Sequence, residues 1–216
     1  PMWCGKSWTG RKHSNSEFLV DKNLTIASLE PESVLQGDVP RLIDEWQDAP
    51  FLWDYARRMI DDRAAAGQFV FTGSSTPPVD STSHSGTGRF ARVKMRPMSL
   101  YESGASNGHV SLSSLFNGEG FEPHRSTLDY DTAVRLICRG GWPSAVDESY
   151  EQAIKVPNEY VASVINKKIT GKTKRNINPI LMELVMKSLA RNNATSAKVS
   201  VIAADVSRDR RTSEQT

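Results

Sequence analysis

Gly5-Lys6-Ser7, close to the start of the chain, has the form in which a phosphate-binding loop ends, G-x-x-x-x-G-K-[ST]; the first glycine of that pattern falls one place before Pro1. Such a loop turns main-chain N–H groups inward around phosphate oxygens, and Gly5 lets the backbone come close. Lys6 supplies positive charge to the outer phosphates, and the Ser7 hydroxyl completes the shell of a Mg²⁺ ion. The residues that follow are expected to open a helix. On its own the tripeptide also occurs in ordinary turns. It gains weight from a second stretch, Val39-Pro40-Arg41-Leu42-Ile43-Asp44-Glu45, in which apolar residues lead into two adjacent carboxylates. Asp44 lies 38 residues after Lys6, enough for a helix, a strand and a return. Two such stretches in this order predict an α/β chain of the P-loop type, with a parallel sheet flanked by helices and a small α-helical region after it.

The other elements follow from periodicity and punctuation. Residues 17–20 suit a buried strand, and 42–44 form the strand that ends in Asp44. Residues 24–35 mix short apolar steps with Pro31. Residues 51–66 give the clearest helix, with Leu52, Tyr55, Met59 and Ile60 on one face and Gly67 as a stop. A strand over 69–72 runs into Gly73, Ser74 and Ser75, and residues 76–87, rich in Ser, Thr, Pro and Gly, read as a mobile loop. Residues 89–96 alternate, placing Phe90, Arg92, Lys94 and Arg96 on one face of a predicted strand. Helices are expected over 129–139, from Pro143, and over 151–168, 178–190 and 195–206, with a polar, disordered tail from 207. The division that results is 1–103 for the P-loop core, 104–127 for a flexible insert or hinge and 128–193 for a helical, lid-like region. Residues 194–216 carry the last helix and the tail.

Composition excludes several classes. With 27 basic and 25 acidic residues the chain is not a wholesale polyanion binder. No stretch approaches the ~20 apolar residues of a membrane span. Cys4 and Cys138 offer no disulfide framework and read as reduced thiols of a cytoplasmic protein. The four histidines lie far apart and beside no cysteine pair, which argues against zinc.

Each part of the constellation has a chemical task. Cys4, Gly5, Lys6, Ser7 and Trp8 would line the nucleotide phosphates, Ser7 and Asp44 would hold Mg²⁺, and Glu45 would orient or deprotonate the attacking water. Ser74 or Ser75 could sense the γ-phosphate or simply cap a turn. An arginine, Arg89 ahead of its rivals Arg92 and Arg96, would neutralise charge on the transferred phosphoryl group, though a solvated strand-edge arginine is equally ordinary. Trp142 reads as packing rather than a base-stacking platform.

Gly-Lys-Ser-Trp-Thr, Pro-Arg-Leu-Ile-Asp-Glu-Trp-Gln, Phe-Thr-Gly-Ser-Ser, Gly-Thr-Gly-Arg, Arg-Pro-Met-Ser-Leu-Tyr-Glu-Ser and Cys-Arg-Gly-Gly-Trp-Pro occur in this order. Together they resemble a family of prokaryotic AAA-like ATPases whose members carry a C-terminal, nuclease-like domain of unknown function. The resemblance implies ATP as ligand and Mg²⁺ as cofactor. It leaves open a homo-oligomer and a DNA or protein partner reached through further C-terminal regions. Set against the family, the chain starts after the first strand and stops early in the winged helix, as a fragment of a longer product or a broken reading frame would. The phosphate loop is then expected to be poorly supported and the fragment's turnover weak. Three functions remain: an ATPase, an ATP-binding switch, and a DNA-associated protein with nucleotide as effector. Lys167, Lys168, Lys172, Lys174 and Arg175 supply the charge for the last, although such a run is usually a solvated face.

Overall fold

A computed structural model describes residues 2–74, 88–166 and 178–213. The chain divides into two compact units, Pro1–Ala153 and Ile154–Thr216. The first is built on a sheet of three parallel strands, β1 (Ser16–Leu19), β2 (Arg41–Asp44) and β3 (Phe69–Thr72), in that spatial order. Helix α1 (Lys6–Lys12) precedes β1, α2 (Leu24–Leu29) and α3 (Pro31–Val34) join β1 to β2, and α4 (Leu52–Arg63) joins β2 to β3. Parallel neighbours need such crossovers, and covering both faces lets the central strand be apolar throughout.

Strand alternation decides what each face meets. Ile43 points into a cluster with Val20, Ala27, Val34, Leu35, Leu52 and Ala56, contributed by α2, α3, α4 and their turns. Leu42 and Asp44 point the other way, towards α1. The register sets Asp44 beside Leu19 on one side and Thr72 on the other. Helix α1 approaches this face closely because Gly10 has no side chain: a Cβ there would lie 2.8 Å from Leu42 Cδ1 and 3.1 Å from Thr72 Cγ2.

Two expectations fail on the structure. Residues 89–96 form no strand. Phe90 instead stacks on Trp53 at 3.8 Å and meets Phe71 edge-on at 5.6 Å, while Val93 is 85% exposed. Packing of a single aromatic ring fixes this segment, and alternation without a ladder partner does not make a strand. The polar tail is the second correction, since residues 207–213 belong to a helix. The serine-rich stretch 104–127 holds a short helix, α5 (Leu112–Phe116). The loop at 76–87, Ser75 and the basic run from Lys167 to Arg175 lie outside the described residues.

The first unit continues through α6 (Tyr130–Arg139), a 3₁₀ turn (Pro143–Ala145) and α7 (Tyr150–Ala153). Asp129 caps α6 by accepting from the Thr132 N–H at 2.7 Å. Met98 N–H donates to the Gly141 carbonyl at 2.6 Å, and a Cβ on Gly141 would collide with the Met98 backbone. In the second unit, α8 (Lys155–Asn166) precedes α9 (Pro179–Arg191), capped by Asn178, and α10 (Val199–Ser213). Arg191 of α9 reaches Asp205 at 2.7 Å and Asp209 at 2.6 Å, so Asp209, in the stretch expected to be a disordered tail, helps to pair two helices.

Gly10→Ala tests the close approach of α1. Alanine gains about 1 kcal/mol of helix propensity, but forcing a methyl group onto buried Leu42 costs ~1–3 kcal/mol. Urea unfolding should show a net loss of stability; a variant more stable than wild type would mean that α1 is free to back away.

Candidate functional site

The loop before α1 is shaped for its turn. Gly5 adopts φ 92°, a left-handed conformation that suits glycine, and Thr9 N–H donates to its carbonyl at 2.9 Å. Cys4 is buried beside it, outside any disulfide, and Lys6 Nζ donates to Cys4 Sγ at 3.9 Å. Trp8, one step along the helix, is 76% exposed. A Cβ on Gly5 would lie 3.5 Å from Pro143 Cγ, an ordinary contact, so the 3₁₀ turn at Pro143 borders the loop. Trp142 folds its ring over Gly140, as packing requires.

The first turn of α1 points Ser7 at the end of β2. Ser7 Oγ donates to Asp44 Oδ1 at 2.9 Å, and Thr72 Oγ1 donates to the same oxygen. Asp44 is only 7% exposed. A buried carboxylate is costly unless its lone pairs are used, and here two hydroxyls from two elements use them. Ser7 and Asp44 are hard oxygen donors of the kind Mg²⁺ prefers, and that ion needs only one or two protein ligands beside phosphate and water. Among the described residues no group of three or more His, Cys, Asp or Glu gathers in a cage.

Glu45 follows with φ 55° and ψ 40°, left-handed for a non-glycine residue. That turn starts a 3₁₀ segment, Trp46–Asp48, in which Gln47 Nε2 donates to Glu45 Oε2. Strain at a carboxylate beside a strand end is the kind of outlier that clusters at functional sites. Ser74, two residues beyond β3, is exposed.

Arg89 is placed elsewhere. Its Nε donates to Asp61 Oδ1 at 2.8 Å. Helix α4 leaves the carboxyl end of β2 and returns to the start of β3, so Asp61 stands about 13 Å along its axis from Leu52, towards the far edge of the sheet. The hydrogen bond from Arg89 holds the Asp61 carboxyl below its ordinary range and raises the guanidinium in turn. Stability from this pair is present above the ordinary aspartate range and is lost as pH falls through the lowered value; for an exposed pair it is small. Cys4, Gly5, Lys6 and Ser7 thus meet Asp44 and Glu45 at one edge, and Arg89 does not join them.

Sequence reasoning passed over Thr72 and Gln47. The Asp44–Thr72 pairing depends on register, which a single sequence does not print. Gln47 stood in view, two residues from Glu45, but carried no motif of its own. Two concavities have other linings, about 640 Å³ beside Arg191, Asp205 and Arg208 in the second unit and about 240 Å³ beside His109 and Phe121 in the first.

Thr72→Val keeps shape and removes one donor to the buried Asp44. Denaturant unfolding is expected to show a loss of ~1.5–3 kcal/mol, the range for hydrogen bonds to charged groups. No loss would mean that Ser7 alone satisfies the carboxylate.

Two family models match the chain. Residues 4–104 match one described as an AAA domain, and residues 130–216 match a domain of unknown function, DUF8612. Neither description mentions a nuclease, so that part of the resemblance gains no support. No curated protein and no solved structure matches significantly. No helix among the described residues is long and apolar enough to cross a membrane. Residues 4–104 are thus similar to an AAA domain, and the parallel sheet with its flanking helices is consistent with a P-loop-like fold of that kind.

Proposed function

We propose that this chain binds ATP with Mg²⁺ through the loop Cys4–Trp8 and promotes hydrolysis of the β–γ phosphoanhydride bond. The observation that carries the reading is the 2.9 Å bond from Ser7 Oγ to Asp44 Oδ1, which brings a loop hydroxyl to a strand-end carboxylate. Lys6 sets a positive charge beside the phosphates, and Ser7 and Asp44 are the residues to hold Mg²⁺. When bound, the ion supplies neutralisation of phosphate charge. Glu45, next to Asp44 but on a reversed backbone, orients the attacking water and takes its proton. Ser74, beyond the end of β3, is the residue to sense the γ-phosphate. A homo-oligomer, or a DNA or protein partner, is the recipient of the cycle.

The placement of Arg89 favours a second reading, a slow ATP-binding switch. An arginine engaged with Asp61 must leave that carboxylate before it can act on a phosphoryl group.

Two variants separate binding from chemistry. Lys6→Ala removes the charge facing the phosphates and is expected to weaken Mg·ATP in calorimetry; equal affinity in mutant and wild type sinks the loop assignment. Glu45→Gln should keep affinity and lower single-turnover hydrolysis by ~10²–10⁴-fold, the usual loss of a general base. If Glu45→Gln hydrolyses at the wild-type rate, the switch reading stands instead.

A further inference from the structure

Gln47 touches both the carboxylate and the strand end. Its Nε2 donates to Glu45 Oε2. Its Oε1 occupies the place that a Cβ on Gly73 would need. That oxygen is buried and accepts no hydrogen bond from the described residues. A buried acceptor without a donor is unfavourable, so something must hold the amide in this orientation. Turning it over would set Oε1 against the Glu45 carboxylate, two acceptors face to face. The bond to Glu45 therefore fixes the amide, and the amide in turn restrains Glu45. On the other side Gly73 leads directly into Ser74, and there is room between Gly73 and Gln47 for hydrogen only.

We propose that Gln47 is a positioning residue, which holds the Glu45 carboxylate through Nε2 and passes to it any displacement of the β3 end at Gly73. The inference rests on the reading of Glu45 as the group that orients water. It adds a steric link by which a ligand felt at Ser74 changes the aim of that carboxylate. The glycine is part of the device, since a methyl group at position 73 would push the amide off Glu45.

The test compares Gln47→Ala, Gly73→Ala and the double variant with wild type. Single-turnover hydrolysis is expected to fall about 10–100-fold in each single variant, the scale of a misplaced catalytic group, with Mg·ATP affinity nearly unchanged. The double variant should lose no more than either single one, because both act through the same amide. A readout without nucleotide accompanies these. The side-chain ¹H–¹⁵N resonances of Gln47, assigned by their loss in Gln47→Ala, should shift in Glu45→Ala and in Gly73→Ala. Multiplying losses in the double variant, or Gln47 resonances unmoved in Glu45→Ala, would overturn the proposal. Wild-type protein that binds ATP without hydrolysing it overturns the hydrolase reading instead, and the nucleotide-free resonances still decide the Gln47 link. If Gly73→Ala fails to unfold cooperatively, Gln47→Ala and Glu45→Ala decide it between them.

Discussion

One buried carboxylate ties the phosphate loop to the sheet. Asp44 accepts from Ser7 on α1 and from Thr72 on β3, so three separate elements meet at a single oxygen. Away from water that carboxylate would be strongly unfavourable without them. The hydroxyls do not reach it by themselves. Helix α1 must lie close to β2 and β3, and the missing side chain at Gly10 is what lets Leu42 and Thr72 come so near. The same contact that seats the helix therefore aims the loop.

Register carries as much weight as composition. Along β2, Ile43 enters the apolar cluster while Leu42 and Asp44 face α1. A slip of one residue would reverse this, sending Asp44 among Val20, Leu35 and Leu52 and removing it from both hydroxyls. Such a state combines an unpaired buried charge with a lost apolar contact. The alternation that builds the core thus also excludes arrangements in which the loop and the carboxylate fail to meet.

The sheet was legible because buried parallel strands read as short apolar runs between turn residues. The fall of Asp44 at the end of such a run located the site edge. Residues 89–96 misled for the converse reason: they alternate, yet Phe90 found Trp53 and Phe71 while Val93 stayed in water. Alternation states which side chains could share a face, not that a neighbouring strand exists. The end of the chain misled through charge. Arg208 and Asp209 look like a polar tail until Asp209 is seen to pair with Arg191 on another helix and Arg208 with Asp205. Thr72 and Gln47 escaped because their partners are fixed by register and by a backbone reversal, neither of which is written in residue types.

That reversal connects the site to the core. A glutamate in the left-handed region costs roughly 1–2 kcal/mol, so the conformation at Glu45 persists only if its surroundings impose it. The next residue does so. Trp46 stacks on Trp53 at 5.0 Å and meets Phe71 edge-on at 5.8 Å. Aromatic pairs of this kind contribute ~0.5–1.5 kcal/mol each beyond the area they bury, enough to offset the strain. Seating Trp46 obliges the chain to turn at Glu45 and brings Gln47 round beneath Gly73. Phe90 closes the same cluster through its stack on Trp53. The aromatic residues accordingly do more than fill the interior: through Trp46 they fix the direction in which the carboxylate beside Asp44 is presented.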